Sequence, residues 1–585
     1  MKQKGRFSAE KKKSKSKTGL VLVIVLACVL AGLVAFALWM STGEKATDPG
    51  PVNETTEPIQ TQPPETTEPA PQWETGFVSA MTGEVSWCDE SGASLGTLTR
   101  GTQVEYIPGE DRTQIRANEI VGYLQDGAVV ADAAQVIPAH TLYVRTAVNL
   151  RDAEGKLLVP FANKGQALEI IGYDRLLEDG SAHMYRVSMD SEEGYVMPWY
   201  LADNEEDALA NYDNGSYETH VKRGDRYGGG DAAELDYYPR QKGQIPGNDM
   251  PEECRTLYIA AWRLGAVDSY INLAKDTGIN AFVVDIADGG SIGYASEVMQ
   301  KYSPSAAKAA KYTVEEYQAG IQKLKDAGYY VIGRITTFND TYLIKDHPEY
   351  AITDNNGNPL KLSKEYWPTA FNRIAWQYKV DLAVEAVELM GFNEIQFDYV
   401  RFPDKTRTYE NAGTIDFHNT YGESKAQAIQ RFLMYATDIL HEKGVYVSAD
   451  VYGESAYTYV TAYGQYWPAI TNVVDVISGM PYPDHFAGTD TWKPWEHPYE
   501  TLNDWGKQVM KRQAEAATPG AVRTWIQAYN AIKEPHNTYG AKEIAAQIKG
   551  LRDAGCTGGY MTWNSGSSLD KYKSIASAFA PPEGE

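Results

Sequence analysis

The chain has 585 residues, 43% of them hydrophobic, with 13 Trp and 40 Tyr, which leaves room for several domains with sizeable cores. Its first 18 residues carry eight Lys or Arg and one Glu. The formal charge of -24 therefore leaves roughly -31 on the remainder, a sign that excludes nucleic acid and anionic membrane surfaces as partners of the later domains. Four cysteines without CxxC spacing, nine His without HxH or HExxH, and no phosphate-binding glycine fingerprint exclude zinc hydrolases and nucleotide enzymes, so no cofactor and no metal is expected.

In chain order, residues 1–18 form a basic tail. Gly19 to Met40 is a run of 22 residues without a charge, long enough to cross ~30 Å of hydrocarbon. The Lys-rich flank before it places the N-terminus in the cytoplasm and everything after it outside the cell. Ala35-Phe36-Ala37 also fits a signal-peptide cleavage site, but the apolar core is longer than a signal peptide uses. A single-pass membrane anchor is therefore the expectation. Residues 41–76 are dominated by Thr, Glu and Pro and read as a disordered, extended linker.

From 77 to 203 short β runs alternate with turns. Val148-Asn149-Leu150-Arg151, Gly165-Gln166 before a strand, and Gly194-Tyr195-Val196 near the end resemble the bacterial SH3-like (SH3b) domain over 138–203. Residues 77–137 resemble a weaker copy, through Gly101-Thr102-Gln103-Val104 and Val121-Gly122-Tyr123-Leu124. The resemblance implies binding to cell-wall peptides or glycans; a plain spacer is the other reading. Residues 204–253 are polar and Gly-rich, a linker or an extension packed on the C-terminal domain.

From 254 to 578 apolar β runs alternate with amphipathic helices. The predicted strands are Thr256–Trp262, Ala281–Ile286, Tyr329–Ile335, Glu394–Tyr399, Val445–Val451, Val474–Met480, Arg523–Ala528 and Gly559–Trp563. Helices are predicted at Val267–Thr277, Val314–Ala327, Trp376–Met390, Lys425–Lys443 and Ala541–Ala554. Gly278, Gly328, Gly391, Gly444 and Gly555 are placed as their C-caps. Eight β/α units in series indicate a (β/α)8 TIM barrel, an α/β fold preceded by one or two small SH3-like β-barrels and a transmembrane helix. Cys254 and Cys556 fall just before strands one and eight, neighbours in such a barrel. A disulfide between them and two free buried thiols both remain open.

Barrel chemistry belongs to the C-terminal ends of strands. In Ile395-Gln396-Phe397-Asp398-Tyr399, period-two alternation turns Gln396 and Asp398 inward, because the apolar face must meet the helices. The same logic turns Asp285 and Asp450 inward, with Arg334 on strand three and Gln527 on strand seven beside them. Two carboxyl groups flanking one bond are what glycoside hydrolysis needs, and an Arg nearby keeps one ionised. A structural carboxylate–arginine network across the mouth is the bland alternative. Gly289-Gly290-Ser291-Ile292-Gly293 matches G-x-S-x-G but lacks the strand-to-helix turn a nucleophile elbow needs.

Glu394 to Pro403, reading EIQFDYVRFP, is similar to the signature of the DUF4015 family of glycoside-hydrolase-type domains. Gly278 to Ala281 before Val284-Asp285, Gly333-Arg334-Ile335, and Asn372 to Tyr378 also match, over roughly 255–575. The resemblance implies a TIM barrel related to the α-amylase-like glycosidases, with Asp398 as nucleophile and Asp450 as acid/base. Many relatives carry Glu on strand five, where this chain has the shorter Asp. Substrate contacts are expected from Asp285, Arg334, Gln396, Arg401, Tyr452, Tyr482, His485, Gln527 and Trp563. The expected protein is a membrane-anchored extracellular hydrolase cleaving a cell-wall or extracellular polysaccharide, peptidoglycan included, by a retaining mechanism. The alternatives are an inactive wall-glycan-binding scaffold and a transglycosidase.

Overall fold

The computed structural model describes residues 72–212, 215 and 224–580. The basic tail, the apolar run 19–40 and most of the Thr/Glu/Pro segment lie outside the described residues. Among those described, no helix is long and apolar enough to cross a membrane.

Two small antiparallel modules come first, each a seven-stranded sheet. The first begins at Glu74–Val78, inside the span read as linker, and ends at Val129–Val130. The second runs from His140–Val144 to Leu201–Ala202. Numbering the strands of each module by sequence, both have the spatial order 3-2-6-5-4-1-7. Both also join their fifth and sixth strands by a two-residue turn with positive φ at both positions, Asn118-Glu119 in one and Asp190-Ser191 in the other. That geometry matches the right-handed twist of a hairpin and is tolerated by Asn and Asp better than by most side chains. The first module buries Val78, Trp87, Val104, Ile115 and Leu124 in a core of its own.

The second module is fixed to the C-terminal part of the chain. Arg151 and Tyr200 each donate to Asp438 Oδ2 at 2.6 Å, and Arg240 donates to Asp438 Oδ1 at 2.6 Å. Arg373 Nε donates to Asn149 Oδ1 at 2.8 Å. Asn149 and Arg151, two residues of the strand Val148–Arg151, are thus spent on this contact.

The C-terminal part is a parallel barrel. Its strands are β1 (Cys254–Ile259), β2 (Ala281–Asp288), β3 (Tyr330–Thr336), β4 (Glu394–Asp398), β5 (Tyr446–Tyr452), β6 (Val476–Met480), β7 (Ala521–Val522 and Thr524–Gln527) and β8 (Gly559–Trp563). From β1 to β6, each pairs in parallel with the next. β7 is interrupted at Arg523. Its first part pairs with β6 and its second with β8, which returns to β1. Its helices include α1 (Val267–Ala274), α2 (Val314–Asp326), α3 (Arg373–Met390), α4 (Lys425–Glu442), α5 (Trp467–Thr471), α6 (Pro498–Gln513), α7 (Ala541–Asp553) and α8 (Leu569–Ile575). Capping boxes start α2 at Thr313 and α4 at Ser424, and Gly391 ends α3 in the left-handed conformation at φ 66°. Gly278 departs from that scheme. It has no positive φ, and its N–H donates to Phe579 O at 2.7 Å.

Several strand bounds shift by one to three residues from the sequence reading, and two of the shifts have a local cause. β1 stops at Ile259, and Trp262 is exposed on a short 3-10 turn beside Arg263. β4 stops at Asp398, because Tyr399 takes φ 51°. Cys254 and Cys556 are free and buried, not bridged. Residues 224–250 are an extension packed on the barrel. Leu235 and Tyr237 bury against Ala426, Tyr466 and Ala469, and Asn248 donates to Asn393 O and Gly444 O.

Alternation along β4 sets the depth of the interior. Phe397 faces outward onto Phe432 of α4 at 5.2 Å. Glu394, Gln396 and Asp398 face inward, in three successive layers. In the lowest, Arg523 Nη1 donates to both Glu394 oxygens at 2.8 and 2.9 Å, and Tyr330 donates to the same carboxylate. In the middle layer Gln396 meets Ser478 and Met561. The top layer holds the acids at the barrel mouth.

Candidate active site

Arg334, at the C-terminal end of β3 and 1% exposed, organises the mouth. Its Nη1 donates to Asp285 Oδ1 at 2.7 Å and lies 3.3 Å from Asp288. Its Nη2 donates to Asp398 Oδ2 at 2.5 Å. Its Nε is 3.8 Å from Asp450 Oδ2, without a hydrogen bond. Burial works against the guanidinium charge, but Asp288, Asp398 and Asp285 outweigh it and hold its pKa well above the usual range. Four carboxylates from β2, β4 and β5 therefore converge on one cation.

They are not equivalent. Asp285 and Asp450 are sealed beneath the mouth, with no exposed surface. Asp285 also accepts from the Tyr258 hydroxyl. Burial, reinforced by Asp288 and opposed by Arg334, pushes its pKa up to about 7. Asp450 accepts from Trp525 Nε1 at 2.7 Å on one oxygen only. Burial first and the Asp398 charge second hold it well above the usual carboxylate range. Asp398 is 5% exposed and forms part of the wall of the cavity at the mouth. Its Oδ1 accepts the N–H of Tyr399 at 2.6 Å. Tyr399 itself is left-handed at φ 51°, a conformation strained for a bulky residue and persisting only where its surroundings impose it.

The cavity has a volume of about 810 Å³ and opens at the C-terminal ends of the strands, where barrel enzymes carry their chemistry. Asp288, Arg334 and Asp398 line it from β2–β4, Arg401 and Asp404 from the loop after β4, and Tyr452, Glu454, Tyr457 and Tyr459 from the end of β5 and the loop after it. Tyr482, Asp484 and His485 come after β6, Lys533 after β7, and Trp563 ends β8. Arg401 is buried in an aromatic cage, its guanidinium 4.4 Å from the Tyr452 ring, 4.9 Å from Trp367 and 5.0 Å from Tyr399. Burial raises the Tyr482 phenol and lowers the His485 imidazole, the latter against the pull of Asp484.

Of the expected site residues, the structure brings Asp398, Arg334, Arg401, Tyr452, Tyr482, His485 and Trp563 to this cavity. It places Asp285, Asp450, Gln396 and Gln527 below its walls. Gln527 is tied into the scaffold: its N–H donates to Gln547 and its side chain accepts from the Asp484 N–H.

Glu454 is the acid that sequence reasoning missed. β5 ends at Tyr452, and the 3-10 turn Gly453–Ala456 carries the glutamate into the cavity wall. There it accepts from Tyr459 at 3.1 Å and Tyr463 at 2.8 Å. The available signal was a Glu four residues beyond the inward Asp450. Gly289-Gly290 forms the turn of an antiparallel hairpin between β2 and Ser291–Tyr294, with Ser291 paired to Asp288, which is not a nucleophile elbow. Among the described residues no group of three or more His, Cys, Asp or Glu could hold a metal ion.

A family model described as "Putative glycosyl hydrolase domain", DUF4015, matches residues 256–569. Among solved structures, a hypothetical protein from Ruminiclostridium thermocellum ATCC 27405 is 35% identical over 33% of this chain and 97% of its own, with a TM-score of 0.28. The PgaB (BpsB) glycoside hydrolase domain from Bordetella bronchiseptica is 14% identical over 55% of this chain and 99% of its own, with a TM-score of 0.40. The chitobiase of Flavobacterium johnsoniae is 13% identical over 57% of this chain and 48% of its own, with a TM-score of 0.38. No curated protein matches.

Proposed function

Because the chain belongs to the DUF4015 family of glycosyl hydrolase domains, we propose that it hydrolyses O-glycosidic bonds of an extracellular or cell-wall polysaccharide, with Asp398 and Glu454 as the working pair. The observation that carries this reading is a single open cavity with Asp398, clamped by Arg334, and Glu454 both in its walls. In the proposed reaction an Asp398 oxygen attacks the anomeric carbon, the bond to the leaving oxygen breaks, and Glu454 gives that oxygen a proton. Glu454 then takes a proton from water as the water oxygen displaces Asp398. Asp450 is assigned a positioning role instead, as a buried acid beneath Asp398 held by the Trp525 indole. The apolar run Gly19 to Met40 is proposed to tether the chain with its later domains outside the cell, and the second β module to act as a fixed arm.

One observation favours a scaffold that binds glycan without cleaving it: Asp450, the acid on β5 itself, has no access to the cavity. The test is to incubate the full chain with purified wall glycans and neutral polysaccharides and to measure new reducing ends. Asp398→Asn is expected to abolish turnover. Asp450→Asn, close in shape to a protonated aspartate, is expected to retain at least a tenth of it. Turnover by Asp398→Asn equal to that of the unaltered chain removes Asp398 from the chemistry. Loss in Asp450→Asn as complete as in Asp398→Asn restores Asp450 as the acid/base. Glycan binding without turnover by any form supports the scaffold.

A further inference from the structure

Most of the chain's tyrosines are buried or half-buried, and burial alone explains them. Three among the described residues are not, Tyr227, Tyr409 and Tyr457, at 39%, 40% and 40% exposed. Two of these three stand in one row. The Tyr457 ring lies 6.0 Å from that of Tyr459, with the planes 31° apart, and the Tyr459 ring lies 4.5 Å from that of Tyr227. The row starts in the cavity wall, where Tyr457 and Tyr459 sit, and leads away from it onto the extension that carries Tyr227. It starts beside the proposed proton donor, because the Tyr459 hydroxyl donates to Glu454.

Tyr227 is held there by its neighbours. Asp225 Oδ1 accepts the N–H groups of Tyr227 and Gly228 at 3.2 and 2.7 Å, closing a local turn. Gly229 then lies so close to the loop after β5 that a Cβ would stand 1.9 Å from Thr461 O, and its carbonyl accepts the N–H of Ala426 at 2.9 Å. No side chain fits at Gly229, so the segment is seated against the barrel by backbone contact.

We infer that Tyr457, Tyr459 and Tyr227 form an outer sugar-binding surface continuous with the cavity, and that the ligand is a glycan chain running past the cavity, not a short glycan held wholly within it. Solvent-exposed tyrosines present large, flat, amphipathic faces at low entropic cost, and pyranose C–H faces stack on such rings while their hydroxyls stay in water. A continuous row of rings serves successive sugars of one chain. The consequence is cleavage inside a polymer and a preference for long substrates. This inference rests on the proposed glycosidase reading, and the experiment separates the two.

The full chain carrying Asp398→Asn is run in native gels containing β-glucan, xylan, chitosan or soluble peptidoglycan strands, and retardation is measured. Adding Tyr227→Ala is expected to weaken retardation by the bound polymer about three- to tenfold, the worth of one aromatic contact. With Asp398 intact, the same substitution is expected to raise KM for that polymer by a similar factor, with less than a twofold effect on an aryl glycoside of its repeating sugar. Retardation by none of the polymers, or retardation unchanged by both Tyr227→Ala and Tyr457→Ala, overturns the inference. An equal loss on polymer and aryl glycoside does so too, since it reports damage to the cavity. Retardation that depends on the tyrosines, in a chain that turns nothing over, leaves the surface standing and removes the hydrolase reading.

Discussion

Arg334→Met tests the electrostatic centre of the site. Methionine fills similar volume without charge, so the perturbation leaves buried carboxylates with no cation. The guanidinium donates to Asp285 and Asp398 at 2.7 and 2.5 Å, and both acceptors are shielded from solvent. Removing one member of a buried ion pair costs about 3–5 kcal/mol, because the charge left behind is desolvated and unpaired. The cost should depend on pH, and its sign comes from Asp285. That carboxyl has its folded pKa raised to about 7, above the unfolded value, so its contribution to stability is full below the unfolded pKa and is lost as pH rises through about 7. Without Arg334 its folded pKa rises further, so the deficit of the variant grows with pH.

At pH 8 the expected deficit is about 3–5 kcal/mol. At pH 5 Asp285 is protonated in the folded state, so removing Arg334 leaves one fewer buried charge unpaired, and the deficit falls to about 1.5–3 kcal/mol, the worth of a charged hydrogen bond. Urea unfolding of the full chain, followed by tryptophan fluorescence at both pH values, reads the difference as a midpoint shift at constant m. A deficit below about 1 kcal/mol at pH 8, or one equal at pH 5 and 8, would refute the reasoning.

Glu454→Gln is expected to slow polysaccharide hydrolysis by about 10²–10⁴-fold, while hydrolysis of an aryl glycoside with a good leaving group falls far less; equal losses on both would show that Glu454 is not the proton donor. Asp438→Ala removes the acceptor shared by Arg151, Tyr200 and Arg240, and is expected to release the second β module, read as new protease cleavage near residues 203–212 with the barrel intact. His183 bridges Asp174 at 2.5 Å and Glu442 at 2.8 Å. Burial works against its protonation, but the two carboxylates outweigh it and push it up to about 9. A pKa raised on folding stabilises fully below the ordinary value of 6.5 and is lost as pH rises through about 9. The Tm advantage of the unaltered chain over His183→Gln should therefore be largest at pH 6 and vanish by pH 10, and an advantage that grows with pH would contradict the bridge.

The barrel was legible because its two periodicities are both strict. Helices α1, α2, α3, α4 and α7 begin or end within three residues of the sequence reading, since caps such as Thr313, Ser424 and Gly391 are local signals. Alternation likewise gave the inward direction of Asp285, Gln396, Asp398 and Asp450. Depth was not legible. Strand tilt and loop length decide which inward residue reaches solvent, and neither is written in a two-residue period. Gln396 therefore ended in the middle layer, and Asp285 and Asp450 under the floor. Glu454 escaped notice because the pleat ends at Tyr452 and a 3-10 turn re-aims the chain. Tyr227 escaped because its place depends on contacts with residues 426 and 461, about two hundred positions away.

Asp398 raises one further question: whether a carboxylate already holding two hydrogen bonds can still react. Its Oδ2 accepts from Arg334 and its Oδ1 from the Tyr399 amide, so the group is fixed at both oxygens. A carboxylate offers about four lone-pair positions, and these two bonds take two. Two positions remain, and Asp398 forms part of the cavity wall. Fixing the rest removes the rotational freedom a free carboxylate would lose in the transition state, which is how a positioned group gains reactivity. The amide that holds Oδ1 belongs to a residue in the left-handed conformation, so the anchor of Asp398 sits at a strained point of the backbone. Tyr399→Pro, which cannot take a positive φ and has no N–H, removes both, and is expected to cost more turnover than Tyr452→Phe, which leaves that bond in place. The comparison is read as kcat on the polymer that the chain cleaves fastest. Equal kcat values in the two variants would mean that the Tyr399 amide does not orient Asp398.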